Sequence, residues 1–185
     1  MDTRVNKVEH IFVINPAAGA SDSTKLIEEA IAKSKSAESC HIYRTKGPGD
    51  ATDFVARKCS QSAGPLRFYA CGGDGTLNEV LCGMHDAENA VLGIYPCGTG
   101  NDFIKSFNGD IAAFKDLNAQ LHGDSAACDY MTVNGRPCLN IASVGLDAAI
   151  AENVHRFSMI PLLKKFAYEL SLGYCFFTKL KNRMT

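Results

Sequence analysis

The chain has 185 residues, of which 46% are apolar and 21% charged, with a formal net charge of −1. That is ordinary globular composition with enough apolar material for a core, and the near-neutral balance excludes an overall field for nucleic acid. Eight cysteines include no C-x-x-C pair and five histidines no i, i+4 pair, so neither spacing predicts a metal site. The opening Met-Asp-Thr-Arg-Val-Asn-Lys lacks the apolar region of a signal peptide. No apolar stretch approaches the roughly 20 residues that span a bilayer. Free thiols without a secretion signal predict a soluble, cytoplasmic protein.

Ile11-Phe12-Val13-Ile14 reads as a short buried strand stopped by Asn15-Pro16. Ser21 or Ser23 is placed to cap a helix that turns Leu26, Ile27, Ala30 and Ile31 to one face. His41-Ile42-Tyr43 is a second strand, closed by the Gly47-Pro48-Gly49 turn. Asp50 is placed to cap the next helix, with Phe54, Val55 and Cys59 inward, and Gly64-Pro65 ends it. Leu66 to Ala70 is a third strand that runs directly into Gly72-Gly73-Asp74-Gly75-Thr76. A helix from Leu77 to about Met84 follows, then a fourth strand over 91–95 and a second glycine-rich loop, 98–102, that opens another helix. Strands alternating with helices predict an α/β domain over 1–122 with a mostly parallel sheet. In such sheets ligands bind at the carboxyl ends of the strands, so loops 15–20, 72–76 and 98–102 are expected to cluster.

The pattern changes near Gly123. Residues 128–133 and 136–144 flank Asn134-Gly135, the strongest short hairpin signal, which predicts a second, β-rich domain over 123–185. It is expected to be incomplete, ending mid-pattern in Lys-Asn-Arg-Met-Thr after a C-terminal helix. That helix carries apolar residues at 159, 162, 163, 166, 170, 173/174 and 177, a stripe that fits core packing better than an interfacial membrane contact. Residues 156–185 hold six Lys/Arg (Arg156, Lys164, Lys165, Lys179, Lys181, Arg183) against Glu169, leaving the rest of the chain acidic.

Among these segments, 72–76 carries the most chemistry. Glycines directly after a buried strand allow a ligand to approach the backbone, and the helix behind them presents unpaired N–H groups to a phosphate. Thr76 can cap that helix or bind phosphate, and Asn78 and Glu79 add polar groups at the same end. A carboxylate repels phosphate, so Asp74 makes sense as an acceptor of a hydroxyl proton or as a group acting through magnesium. The bland alternative is a tight turn with Asp74 as a capping group. Gly98-Thr99-Gly100-Asn101-Asp102 and Asn15-Pro16-Ala17-Ala18-Gly19 are weaker signals taken singly, and no Walker or protein-kinase motif occurs.

The ordered set N-P-x-x-G, G-G-D-G-T-x-N-E (Gly72 to Glu79) and G-T-x-N-D-F (Gly98 to Phe103) resembles the diacylglycerol kinase catalytic family. That family includes bacterial lipid kinases and is related to sphingosine and ceramide kinases. Residues 129–135 and 140–147 are similar to the start of the family's β-sandwich domain. The resemblance implies an ATP- and magnesium-dependent kinase acting on a lipid hydroxyl, most simply that of diacylglycerol, at a membrane surface; a homodimer is left open. It places Asn15, Thr45, Gly72, Gly73, Asp74, Gly75, Thr76, Gly98 and Thr99 near the nucleotide, with Asp74 catalytic. Asp147 either reaches the lipid head-group side of the site or caps a turn. Ala18 stands where the family usually has Ser. The family's C-terminal acidic residue and magnesium-binding segment have no counterpart here, which implies a truncated chain, silent by itself. An NAD kinase shares the G-G-D-G-T loop, but the first and third motifs argue against it. A non-catalytic nucleotide-binding regulator is the other alternative.

Overall fold

In a computed structural model the described residues are 7–19, 21–34, 36–107, 111–158, 160 and 166–178. Lys164, Lys165, Lys179, Lys181 and Arg183 of the basic segment, and 159, 162 and 163 of the apolar stripe, lie outside them. The elements in order are β1 (Glu9–Ile14), α1 (Thr24–Ala32), β2 (Cys40–Arg44), α2 (Asp50–Gln61), β3 (Leu66–Gly72), α3 (Asp74–Met84) and β4 (Ala90–Pro96). Then come α4 (Asp102–Lys105), α5 (Ile111–Phe114), α6 (Leu117–His122), β5 (Met131–Val133), β6 (Arg136–Cys138), α7 (Leu146–Ser158) and α8 (Ala167–Thr178).

Four strands form one parallel sheet in the order β2-β1-β3-β4. A central parallel strand is covered on both faces, and β1 accordingly buries every residue from His10 to Ile14. Ile11 and Val13 join Phe68, Ala70, Leu77, Val80, Ala51 and Val55 in a core beneath α2 and α3. Phe12 and Ile14 pack with Tyr69, Cys71, Ile27, Ile31, Leu117 and Leu121 beneath α1 and α6. The α/β expectation therefore holds, as three layers.

Several local readings change. Ser23 makes no side-chain capping bond; Asp22 Oδ1, two residues before Thr24, instead accepts from Thr24 N at 2.8 Å and from the Thr24 hydroxyl. Leu26 is exposed, because α1 turns Thr24, Ile27 and Ile31 inward. Gly49, at φ +85°, takes the N-cap position of α2, and Asp50 sits in the first turn accepting from Tyr43 Oη and Lys46 N. These bonds, Lys46 N first, hold the Asp50 carboxyl below its ordinary range.

The chain forms two compact units, one ending at Asn140 and one beginning at Ile141. The β5–β6 hairpin, read from Asn134-Gly135, is antiparallel and belongs with the sheet unit, since Cys82 Sγ lies 3.5 Å from Pro137 O and Leu139 N donates to Asn78 Oδ1. Residues 141–144, expected to extend its second strand, form none, and Ile141 and Val144 are exposed. The second unit is a helix pair in which α7 meets α8 through Ala149, Ile150 and Cys175, with Ser171 Oγ donating to Ile150 O at 2.6 Å. Asp147, in the first turn of α7, accepts from Ser143 Oγ at 2.6 Å. Among the described residues no helix is long and apolar enough to cross a membrane.

Candidate functional site

Strand order places the site. From β1 the chain moves to β2 on one side and then to β3 on the other, so the carboxyl ends of β1 and β3 flank a topological switch point. The register puts Arg44, Ile14, Cys71 and Tyr95 in one row across the sheet. Thr45, Asn15, Gly72 and Pro96 form the next row, and all three predicted loops leave the sheet at that level.

Glycine is required where these loops touch. A Cβ on Gly98 would stand 2.4 Å from Gly73 Cα, so the second and third loops meet backbone to backbone. Gly19, at φ +77°, brings the first loop against the third: a Cβ there would stand 2.1 Å from Cys97 O. Cys97 N and Gly98 N both donate to Gly72 O, at 2.9 and 3.1 Å. Asn15 closes the ring, donating from Nδ2 to Thr76 Oγ1 at 3.1 Å while its Oδ1 accepts from Ala17 N. The clustering of the loops is thus built from backbone contacts and one carboxamide.

Asp74 opens α3, with Gly73 as N-cap and no side-chain cap. Thr76 is the third residue of the helix rather than its cap; it is buried and engaged by Asn15. The first backbone N–H with an intrahelical partner is that of Leu77, to Gly73 O at 3.0 Å, which leaves the N–H groups of the first turn facing the loops. Asp74 Oδ1 accepts from Phe103 N at 3.2 Å and from Asn140 Nδ2 at 3.0 Å. Its Oδ2 lies 3.0 Å from where a Cβ of Gly100 would stand, and Asp102 Oδ2 lies 3.6 Å from the same point. Asp102 is itself paired with Lys105 at 2.5 Å.

Not every predicted residue faces this cluster. Asn78 accepts from Leu139 N at 3.2 Å, and Glu79 Oε1 accepts from Gly49 N at 3.0 Å, so both hold neighbouring segments to α3. Thr45 is tied by its backbone to Ile14 O at 2.8 Å, and Thr99 is exposed on the third loop. Asn140, adjacent to Asp74, had no role assigned from sequence. The signal was present in the polar series Asp74, Asn78, Cys82, one face of a helix at i, i+4, i+8. Cys71 and Cys97 are pushed up by burial, Cys71 far up, so these thiols beside the loops stay protonated and unreactive.

The space enclosed between Gly73, Asp74, Leu77, Asn101 and Phe103 is only about 10 Å³, room for one water at most, so a ligand would lie over the loops. A larger hollow of about 730 Å³ follows the outer edge of β4 from Arg67 and Gln120 to Phe103 and Leu139. It is mostly apolar wall beside an uncovered edge strand and lacks the glycine contacts, and the loop cluster is the better candidate.

Sequence comparison agrees with that geometry. The profile of the diacylglycerol kinase catalytic domain matches residues 9–133. The chain belongs to the diacylglycerol kinase catalytic family. An Enterobacter sp. (strain 638) protein named "Probable lipid kinase YegS-like" is 32% identical over 147 residues, 77% of this chain and 48% of its own length. A Staphylococcus saprophyticus diacylglycerol kinase is 32% identical over 136 residues, 72% of this chain and 44% of its own. In three dimensions the chain is similar to a diacylglycerol kinase of Bacillus anthracis str. Sterne, with TM-score 0.51 and 29% identity over 71% of this chain and 48% of that one. This family member therefore spans about half the length of the relatives it matches.

Proposed function

We propose that the full-length protein is a lipid kinase that transfers the γ-phosphoryl group of ATP to a lipid hydroxyl, most simply that of diacylglycerol, at a membrane surface from the cytoplasm. The observation that carries this reading is the ring of three strand-end loops, closed by paired glycines, with Asp74 at the head of α3 and one carboxylate oxygen that takes no hydrogen bond from the described residues. The names of the relatives support the lipid-kinase class.

Phosphoryl transfer asks the protein chiefly for positioning and charge neutralisation. The N–H groups at the head of α3 and the backbone of Gly72, Gly73, Gly75 and Gly98 would seat the phosphates, with Thr76 and Thr99 adding hydroxyls. Asn15 and Thr45 border the same row of the sheet. Magnesium binds commonly through one or two carboxylates plus substrate phosphates, and Asp74 Oδ2 fits such a cation. Such an ion would supply neutralisation of phosphate charge, and Asp74 would accept the proton of the lipid hydroxyl directly.

The test uses the full-length protein. Asp74→Asn keeps the shape but loses proton acceptance, and a fall in kcat of about 10²–10⁴-fold is expected in a radiolabelled-ATP assay. Near-normal turnover would leave Asp74 a turn residue.

A further inference from the structure

We propose that Asn140 is a positioning residue for Asp74: it holds Oδ1 so that Oδ2 alone meets the reacting groups. The inference rests on reading Asp74 as the acceptor of the hydroxyl proton. An aspartate in the first turn of a helix is free to rotate, and orphan N–H groups of its own turn compete for both of its oxygens. Here that rotation is fixed by two donors on the same oxygen, Phe103 N at 3.2 Å and Asn140 Nδ2 at 3.0 Å, from separate stretches of chain. Two donors occupy the two lone pairs of Oδ1. Oδ2 is left toward Gly100, where a Cβ would come within 3.0 Å of it.

The donor is anchored to the helix that carries the acceptor. Leu139 N donates to Asn78 Oδ1 at 3.2 Å, and Cys82 Sγ lies 3.5 Å from Pro137 O. Asp74, Asn78 and Cys82 thus clasp residues 140, 139 and 137 along one face of α3, and the carboxamide of Asn140 closes the end of the clasp nearest the loops. A carboxamide supplies a donor without adding charge beside the phosphates. In the transfer, the lipid hydroxyl oxygen forms a bond to the γ-phosphorus. The bond from that phosphorus to the bridging oxygen breaks, its electron pair leaving with ADP, and the hydroxyl proton passes to Asp74 Oδ2.

The experiment measures kcat, KM for ATP, ATP affinity by calorimetry and Tm for full-length Asn140→Ala, Asn140→Asp, Asp74→Asn and the double variant Asp74→Asn/Asn140→Ala. Misplacement of a reacting group by about 1 Å costs about a hundredfold, and a kcat loss of up to that size is expected for both Asn140 variants. KM, ATP affinity and Tm should stay near those of the parent. In the Asp74→Asn background, Asn140→Ala should change the residual rate by less than about twofold, because the two act through one oxygen. Asn140→Gln should recover part of the rate. Parent-like kcat in Asn140→Ala, an equal further loss in the double variant, or a fall in Tm that accounts for the lost rate in both Asn140 variants would each overturn the inference. Normal turnover by Asp74→Asn would instead remove the reading of Asp74 beneath it.

Discussion

In the sheet unit the largest side chains lie inside and the smallest residues line the site, whereas in the helix pair the order is reversed. Phe12, Phe68 and Tyr69 are buried between the layers, and Gly73 and Gly98 meet where the loops converge. α8 turns Ala167, Ser171 and Cys175 inward to α7 and leaves Tyr168, Phe176 and Phe177 outward, Phe177 at 86% exposure. A helix apolar on every face belongs in a core. The difference teaches that the two units are stabilised differently: helices cover both faces of the central strands, and the described residues leave most of the aromatic side chains of α8 exposed.

Substitutions at matched aromatic positions give the widest separation. Phe12→Ala should destabilise the sheet unit by about 3–5 kcal/mol in a urea titration, because it empties a site packed from both strands and helices. A cost below about 1 kcal/mol would mean that the two units differ less than their burial suggests. Next in size, Gly98→Ala should cost about 1–3 kcal/mol, as a Cβ 2.4 Å from Gly73 Cα forces two backbones apart. It should also abolish ATP binding by calorimetry. Retained affinity would separate the glycine pair from the site.

A smaller effect is expected at His10, whose Nδ1 lies 2.8 Å from Tyr69 Oη. Burial, then the charge of Arg67, with His122 and Lys7 adding to it, holds this histidine below its ordinary range. Tyr69 is pushed up to about 12 by burial and stays neutral as its partner. The unfolded chain then takes up the proton first, so the contribution is full above about pH 6.5 and is lost as pH falls from there through the folded value. Urea midpoints for the parent should decline over that window more steeply than those of His10→Phe; parallel curves would assign the decline to other groups. The smallest effect should come from Phe177→Ser, within about 0.5 kcal/mol of the parent in thermal unfolding. A large loss there would show that α8 is covered after all.

The sheet was legible because β1 and β3 are buried on both faces and need only an unbroken apolar run, Ile11 to Ile14 or Phe68 to Ala70, followed by a turn. Helix faces were harder: Leu26 neighbours Ile27 in sequence, and a rotation of one residue about the axis decides which is covered. Ile141 and Val144 carry a strand's pattern, but a strand also needs a neighbour to bond, and composition does not supply one. At the site, the three loops were readable from glycine placement. Asn78 and Glu79 were grouped with them by sequence proximity, yet they lie a full turn below Asp74, where one reaches the hairpin and the other Gly49. The partnership of Asp74 and Asn140 joins residues 66 positions apart and depends on where the hairpin packs.

The strand order also sets a timetable. β1 is made first but lies between β2 and β3, and its pairing of His10 with Arg67 waits for more than fifty further residues. Such closures are slow, and parallel ladders reward the chain only after the intervening helix is in place. During synthesis the first loop therefore emerges long before anything can hold it. The ring that would seat a nucleotide exists only once Gly98, just past β4, has been added, so a nascent chain should acquire ligand affinity abruptly, when that loop has left the ribosome, and not in stages.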